Sequence, residues 1–393
     1  MSDRYTEITS QSWFSRIGGA LKGILVGFVL IIAGICLLFW NEGRAVKTHK
    51  ALAESQGLVV SVHPSEILPS MNGKLVHISG KATTEETLVD DVFQVSANAL
   101  KLEREVETYQ WKETSRSEER KKLGGEVETV TTYDYDKVWA SGLIDSSEFK
   151  RQAGHENPAS LMYEHQTWSA GQVSIGQCVL SAEHKARINN FQKLSIASVN
   201  LPQGVKRQAD QLYYGSNPQK PRIGDQRISF QVISPQDYSA IGSLLDFTLM
   251  AHRASNGLSI ALVTAGIHTA DAMFEEAKSD NRNLTWVLRA VGTIILVLAF
   301  AMILKPLSVL ADVVPFVGNI VEMGTGFVAL ILGCVVALIA ISIAWFFYRP
   351  LLSVAFMVVV ASLVYLLKRK SKKASQSLAD ASTENNAAST SVT

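Results

Sequence analysis

The chain has 393 residues, and 37 Lys and Arg against 36 Asp and Glu leave a formal net charge of +1. That balance argues against bulk nucleic-acid binding, which needs basic patches to neutralise phosphates, so no nucleic-acid partner is expected. Of the 3 cysteines, Cys36 and Cys334 fall in apolar runs and only Cys178 lies in the polar middle, which therefore needs a core of its own rather than an internal disulfide.

Residues 1–20 are short and polar and read as a cytoplasmic N-terminus. The first apolar run, Leu21–Trp40, has the ~20 residues that a helix needs to cross a bilayer core. It is longer than the apolar part of a signal peptide. It is followed by Trp40-Asn41-Glu42-Gly43-Arg44 rather than a small-x-small cleavage site, so a retained anchor is expected. Gly23, Gly27 and Gly34 form a small-residue stripe, readable as close helix packing or as glycine merely tolerated in a membrane helix.

Residues 41–283 read as one large α+β domain. After an amphipathic stretch Glu42–Ser55, strands are expected at Gly57–Val62 and Lys74–Ser79, punctuated by Pro64, Pro69 and Asn72-Gly73. The clearest pair is Ala99–Glu113 with Glu126–Ala140, where Val127, Thr129, Thr131, Tyr133 and Tyr135 alternate and Gly124-Gly125 supplies the turn. The charged connection from Glu113 to Lys122 predicts an exposed hairpin. Further strands are expected at Gln172–Ser181, Arg227–Ile233, Asp246–His252 and Leu258–Val263. Helical signals sit at Ser147–Gln152 and Thr269–Asn283, the second running on into an apolar segment. A weak echo between Gly73–Gly80 and Gly224–Phe230 raises the option of two tandem units.

Three apolar runs close the chain, 286–304, 327–347 and 351–367. Only Tyr348-Arg349-Pro350 separates the last two, so the chain must fold back there with one charge at the tip. Between the first two lies 305–326, broken by Pro306, Pro315 and Gly318 and interrupted by Asp312 and Glu322. It reads as an interfacial or re-entrant cytoplasmic segment. The basic cluster Lys368–Lys373 marks the cytoplasmic side, and residues 368–393 continue as a polar, disordered tail. The sequence thus predicts an α+β membrane protein. It has four transmembrane helices, a large strand-rich domain between helices 1 and 2, and that domain on the periplasmic or lumenal face.

No GxSxG, P-loop, HExxH, CxxC or dinucleotide fingerprint is present, so no catalytic residue, cofactor or metal site is expected. His155, His165 and His184 lie near Glu156, Glu164 and Glu183, but their spacing matches no standard metal site. Cys178 has no activating neighbour in sequence and reads as a buried structural cysteine. Asp312 and Glu322 are costly in a membrane unless they reach water or a partner. They form a polar contact in the bundle or an ion pathway, or else they face the headgroups from an interfacial helix. Asn41, Glu42 and Arg44 at the exit of the first run, together with Arg349, complete the set of candidate interaction residues.

Several of these stretches resemble the LUMA family (transmembrane protein forty-three). They are Asn41-Glu42-Gly43-Arg44-Ala45, Val59-Val60-Ser61, Gly73-Lys74-Leu75-Val76-His77-Ile78, Tyr109-Gln110-Trp111-Lys112-Glu113 and Gly154-His155-Glu156-Asn157-Pro158. Gly224-Asp225-Gln226-Arg227-Ile228-Ser229-Phe230 and Tyr348-Arg349-Pro350-Leu351 complete the match, which runs from about Gly18 to Lys368. The resemblance implies a four-pass membrane protein with a large lumenal domain and no enzymatic activity. It implies the endoplasmic reticulum and nuclear inner membrane in a eukaryote, and a periplasmic domain on the cytoplasmic membrane in a bacterium. It also implies self-association, contact with membrane lipids and with membrane or lumenal proteins, and lamin or emerin partners only in a eukaryote. The expected function is non-enzymatic organisation of the membrane or of a membrane complex. The alternative is a lipid-handling or small-molecule site, catalytic or not, where domain and membrane meet.

Overall fold

The computed structural model describes residues 3–66, 69–196 and 201–350. The expected fourth span, 351–367, and the basic tail lie outside the described residues. The chain opens with β1 (Asp3–Gln11) and α1 (Trp13–Leu58). The strands that build the body are β2 (Leu75–Thr83), β3 (Lys101–Lys121), β4 (Val127–Ala140), β5 (Val205–Gln208), β6 (Gln211–Tyr214), β7 (Gln226–Ile233), β8 (Asp237–Leu245), β9 (Thr248–Met250) and β10 (Leu262–Ala265). A short helix α2 (Ala182–Arg187) interrupts them, and α3 (Ala270–Ala311) and α4 (Pro315–Tyr348) follow. Among the described residues, α1, α3 and α4 are long and apolar enough to cross a membrane.

Two compact units emerge. Among the described residues, one comprises 3–22, 47–283 and 305–324; the other comprises 23–46, 284–304 and 325–350. The strand-rich unit is therefore not confined to the segment between the first two spans. It also takes in the N-terminus and the connection between α3 and α4.

The strand-rich unit is built on two sheets. The first runs β1-β4-β3-β7-β6-β5, with Gln192–Lys193 pairing β7 and Gln166–Ser169 pairing β3. The second is centred on the antiparallel β2–β8 pair and flanked by β9 and β10. Strict alternation along the first part of β3 turns Leu102, Arg104, Val106, Thr108 and Gln110 inward. The core fills with Phe93, Phe230, Ile78, Ile175, Leu180 and Tyr238, each large side chain contributing roughly 1.5–3 kcal/mol of apolar burial. Arg104 is tolerated in that core because its guanidinium meets Asp90 at 2.6 Å and lies over the Phe93 and Trp168 rings. A buried cation needs a partner of this kind.

The second core of this unit packs Ala51 and Leu52 of α1 against Phe274 and Met273 of α3, under Ile241 and Ile260. Here the sequence reading needs correction. The strand expected to begin at Gly57 starts only at Val60, because α1 continues to Leu58. The burial of Ala51, Leu52 and Ser55 rewards helix over the weak strand signal. The Ser147–Gln152 helix shrinks to a single turn at Ser146–Glu148, capped by the Asp145 carboxylate, which accepts from Ser147 N. The two echoing strands, β2 and β7, lie in different sheets.

In the helical unit, glycines permit close approach. A Cβ on Gly34 would lie 2.9 Å from Leu296 Cγ, and one on Gly292 would lie 2.6 Å from a Leu38 methyl. Gly27 meets Ala299 O and Ile303 in the same way, whereas Gly23 has space. Two of the three stripe glycines thus serve helix packing, which in lipid relies on small residues rather than on a hydrophobic driving force.

Candidate functional site

Both units hold a buried carboxylate, and each is surrounded by groups from distant parts of the chain. In the helical unit it is Glu42, fully buried. Its Oε1 accepts from Arg289 Nε at 2.6 Å, and its Oε2 accepts from the Trp345 indole N–H at 2.9 Å. Three helices therefore meet at one side chain. One turn away, Asn41 Nδ2 donates to Thr285 O at 3.0 Å, and Arg44 Nη2 donates to Asn41 Oδ1 and to Thr285 Oγ1. The Arg289 guanidinium also lies over the Trp286 ring, 4.7 Å from its centroid. Arg349 lies over the Trp345 ring, 5.7 Å from its centroid. Glu42 and Arg44 each reach α3.

Besides Asp90 and Asp225, the strand-rich unit buries Asp312, 1% exposed, at the end of α3. Arg16 near the start of α1 donates to one of its oxygens, and Lys121 at the end of β3 donates to the other at 2.8 Å. Lys121 also reaches Glu322 at 2.7 Å, and Glu322 meets Lys305 at 2.9 Å, so the chain of charges runs out to solvent. Burial weighs against the Lys121 ammonium, but the hydrogen bonds it donates to Asp312 and Glu322, with their charges, outweigh it and its pKa is raised. Backbone contacts close the same junction. Trp13 Nε1 donates to Val309 O at 2.8 Å, Arg16 to Gly125 O at 2.7 Å, and Gly124 N to Val313 O at 3.1 Å.

This geometry revises the reading of residues 305–326. They are the last turns of α3, a turn at Asp312–Val314 and the first turns of α4, so the segment expected to be interfacial or re-entrant is continuous with both long helices. Pro306 is accommodated inside α3, and Pro315 opens α4, where a missing N–H costs nothing. Asp312 does not face headgroups. It caps the C-terminal end of α3, an unfavourable place for an anion, and two cations offset that cost. Gly318 leaves the room in which its carboxylate lies.

The N-terminus and the hairpin are revised too. Residues 3–11, for which the sequence offered only a short polar N-terminus, form an edge strand paired with β4 in a register that sets Tyr5 opposite Tyr133 and Ile8 opposite Val130. Arg4 meets Asp134 at 2.7 Å and Glu7 meets Lys150 at 2.8 Å. The hairpin itself forms as expected, but its tip is held by the Asp312 junction rather than left free.

The three histidines considered as a metal cluster go to three environments. His155 stacks on Tyr135 at 4.0 Å with Nε2 3.0 Å from Asp3, and His165 lies 3.3 Å from Glu103. His184 is buried, donating through Nε2 to Ile241 O and accepting at Nδ1 from Ser181. Burial lowers the pKa of His184 and of His77. Cys178 is buried and burial alone pushes its thiol up to about 11, which leaves it unreactive. Asn157, in one of the motifs quoted above, clamps the hairpin by bonding both Trp111 N and Trp111 O.

Sequence reasoning singled out Glu42 and Asp312 but passed over Arg289, Arg16, Lys121 and Trp345. Arg289 carried a usable signal, since a cation inside an apolar run needs a carboxylate. Arg16 and Lys121 carried none, because their partner lies far along the chain. Both carboxylates are committed to cations at hydrogen-bond distance, so these sites join segments; using either as a base would mean breaking an ion pair first.

The family model described as Transmembrane protein 43 matches residues 108–350, which include Lys121, Arg289, Asp312 and Trp345. The chain belongs to the transmembrane protein 43 family. Transmembrane protein 43 of Rattus norvegicus is 33% identical over 88% of this chain and 90% of its own length. That of Homo sapiens is 32% identical over 93% and 95%, and the Drosophila melanogaster homolog 30% over 86% and 92%. The LUMA resemblance read from short motifs is this same family. No solved structure matches the chain.

Proposed function

We propose that this member of the family is a non-enzymatic membrane protein that organises the bilayer or a membrane-associated complex through self-association and contacts to lipids and neighbouring proteins. The observation that supports this is the use made of the charges: the buried carboxylates of Glu42, within α1, and Asp312, at the end of α3, both serve to tie segments together. In this reading residues 351–367 are the fourth span, and the basic tail and N-terminus are cytoplasmic. The body of the strand-rich unit is lumenal or periplasmic. The membrane is the endoplasmic reticulum or nuclear inner membrane in a eukaryote, with lamin or emerin as partners only there.

One feature favours the second reading, lipid handling. A groove of about 630 Å³ lies along α3 and α4, lined by Val297, Leu298, Leu330, Ala337 and Ile341, with Arg289 and Trp286 at one end. Its dimensions and apolar walls suit an acyl chain. Purification in mild detergent, with identification of co-purifying lipids and proteins, tests both. Stoichiometric protein partners or a homo-oligomer support the organiser; one lipid class held at fixed stoichiometry by a monomer supports the alternative.

A further inference from the structure

The strand-rich unit contains both ends of α1. At one end Asn256 Nδ2 donates to Lys47 O at 2.7 Å, and Glu54 accepts from Ser255 N and Oγ. At the other, Arg16 and Trp13 are fixed to Gly125, Asp312 and Val309. Between Arg16 and Lys47 α1 is unbroken and rises about 46 Å. The hairpin links the same two ends. Thr108 is the last residue of β3 paired with β7, and from there to Lys121 the strand extends about 44 Å. A bilayer measures about 40–45 Å with its headgroups.

Leu21–Trp40 carries one charge, Lys22, and is apolar all round, the mark of a helix that crosses rather than lies in an interface. If α1 crosses, the tip of the hairpin and its base are on opposite faces of the membrane. Yet residues 114–120 of β3 are exposed on both sides of the sheet, and they include Arg116, Glu118, Glu119 and Arg120. Such a strand survives at membrane depth only inside protein or against water, never against lipid.

We infer that the β3–β4 hairpin, with β1 along its edge, is a trans-bilayer element. Its base stands on the face of the strand-rich body, its tip on the face of the N-terminus and residues 305–324, and its polar flanks are enclosed by further copies of this chain. The inference rests on reading α1 as a span. A second copy is the occupant the charges favour, because the same exposed stretch carries both signs, Arg116 and Arg120 flanking Glu118 and Glu119, and these can pair between copies.

The test uses the full chain in sealed vesicles of both orientations, with Cys36→Ser and Cys334→Ser, and Cys178 left buried. Single cysteines replace Ser10 in β1, Leu123 at the tip (85% exposed) and Gln219 in the body. A membrane-impermeant maleimide should reach Leu123→Cys and Ser10→Cys from one side and Gln219→Cys from the other. If Leu123→Cys labels with Gln219→Cys and Ser10→Cys from the opposite side, the hairpin does not cross; the inference fails while the reading of α1 stands. If all three label from one side, α1 is not a span and both fail. Light scattering of the detergent-solubilised protein should give an oligomer, and a monomer would overturn the enclosure.

Discussion

The buried carboxylates Glu42 and Asp312 invite comparison, because the same chemical problem is solved twice with different surroundings. Glu42 lies among three apolar helices and receives one cation and one indole N–H, and among the described contacts Arg289 has no second carboxylate to turn to. Asp312 receives two cations and belongs to a chain of charges that ends at Glu322 and Lys305, 43% and 49% exposed. An ion pair sealed in a low dielectric is fragile to the loss of either partner, since the survivor remains buried. A pair wired to the surface has substitutes at hand, including water. The difference teaches that burial of the carboxylate alone does not set the cost of breaking a pair; the fate of the partner left behind does.

That contrast yields an order of effects. Arg289→Met should be the most damaging change, costing about 3–5 kcal/mol because Glu42 would keep only Trp345. Unfolding in detergent followed by tryptophan fluorescence reads it. Adding Glu42→Gln should restore part of the loss, and a double mutant no better than Arg289→Met would show that the pair is not sealed. Asp312→Asn should cost less, about 2–3 kcal/mol, since Lys121 can turn to Glu322 while Arg16 keeps the Gly125 carbonyl. A cost equal to that of Arg289→Met would erase the proposed distinction. Gly34→Val should fall next at about 1–3 kcal/mol, through the clash with Leu296 rather than through charge.

The pH dependence separates the body from both clusters. His184 is held neutral by burial, with a pKa below its unfolded value, so the unfolded chain takes up its proton first. Its contribution is complete above about pH 6.5 and is lost as pH falls below that, at no more than ~1.4 kcal/mol per pH unit. Melting temperatures between pH 5 and 7.5 should show this slope flatten in His184→Gln; an unchanged slope would assign the dependence elsewhere, to His77 for instance. Smallest of all, Lys305→Gln should alter stability by ~0–1 kcal/mol, because its pair with Glu322 is half exposed and screened.

The parts of this architecture that were legible in the sequence are those written in local pattern. Three apolar runs gave α1, α3 and α4, and the alternation from Val127 to Tyr135 with Gly124-Gly125 gave the long hairpin. What escaped is everything decided by distant partners. Asp3–Gln11 contains the β-formers Tyr5, Thr6, Ile8 and Thr9, but it exposes both faces, and only β4 makes it a strand. Residues 305–326 read as an interfacial or re-entrant segment because Pro306, Pro315, Gly318, Asp312 and Glu322 break the apolar pattern locally. Pro306 is carried within α3, and Pro315 falls at the one helical position that suits it. At the sites, the carboxylates were visible as anomalies in apolar surroundings, whereas Arg16 and Lys121 were ordinary basic residues until Asp312 gave them a role.

The Arg16–Asp312 pair also fixes an order of events in time. Its two residues are 296 positions apart in the chain. At the usual pace of synthesis, about 5–20 residues per second, the arginine waits roughly 15–60 s for its aspartate. Through that interval α1 is already in place, β1 has gained its neighbour only when β4 emerges, and the tip of the hairpin has nothing to hold. The junction can close only after α3 is complete. A chain stalled or truncated before Asp312 therefore leaves a cationic Arg16, an unpaired Lys121 and an unclasped sheet edge on display, a ready mark by which quality control can tell an unfinished molecule from a finished one.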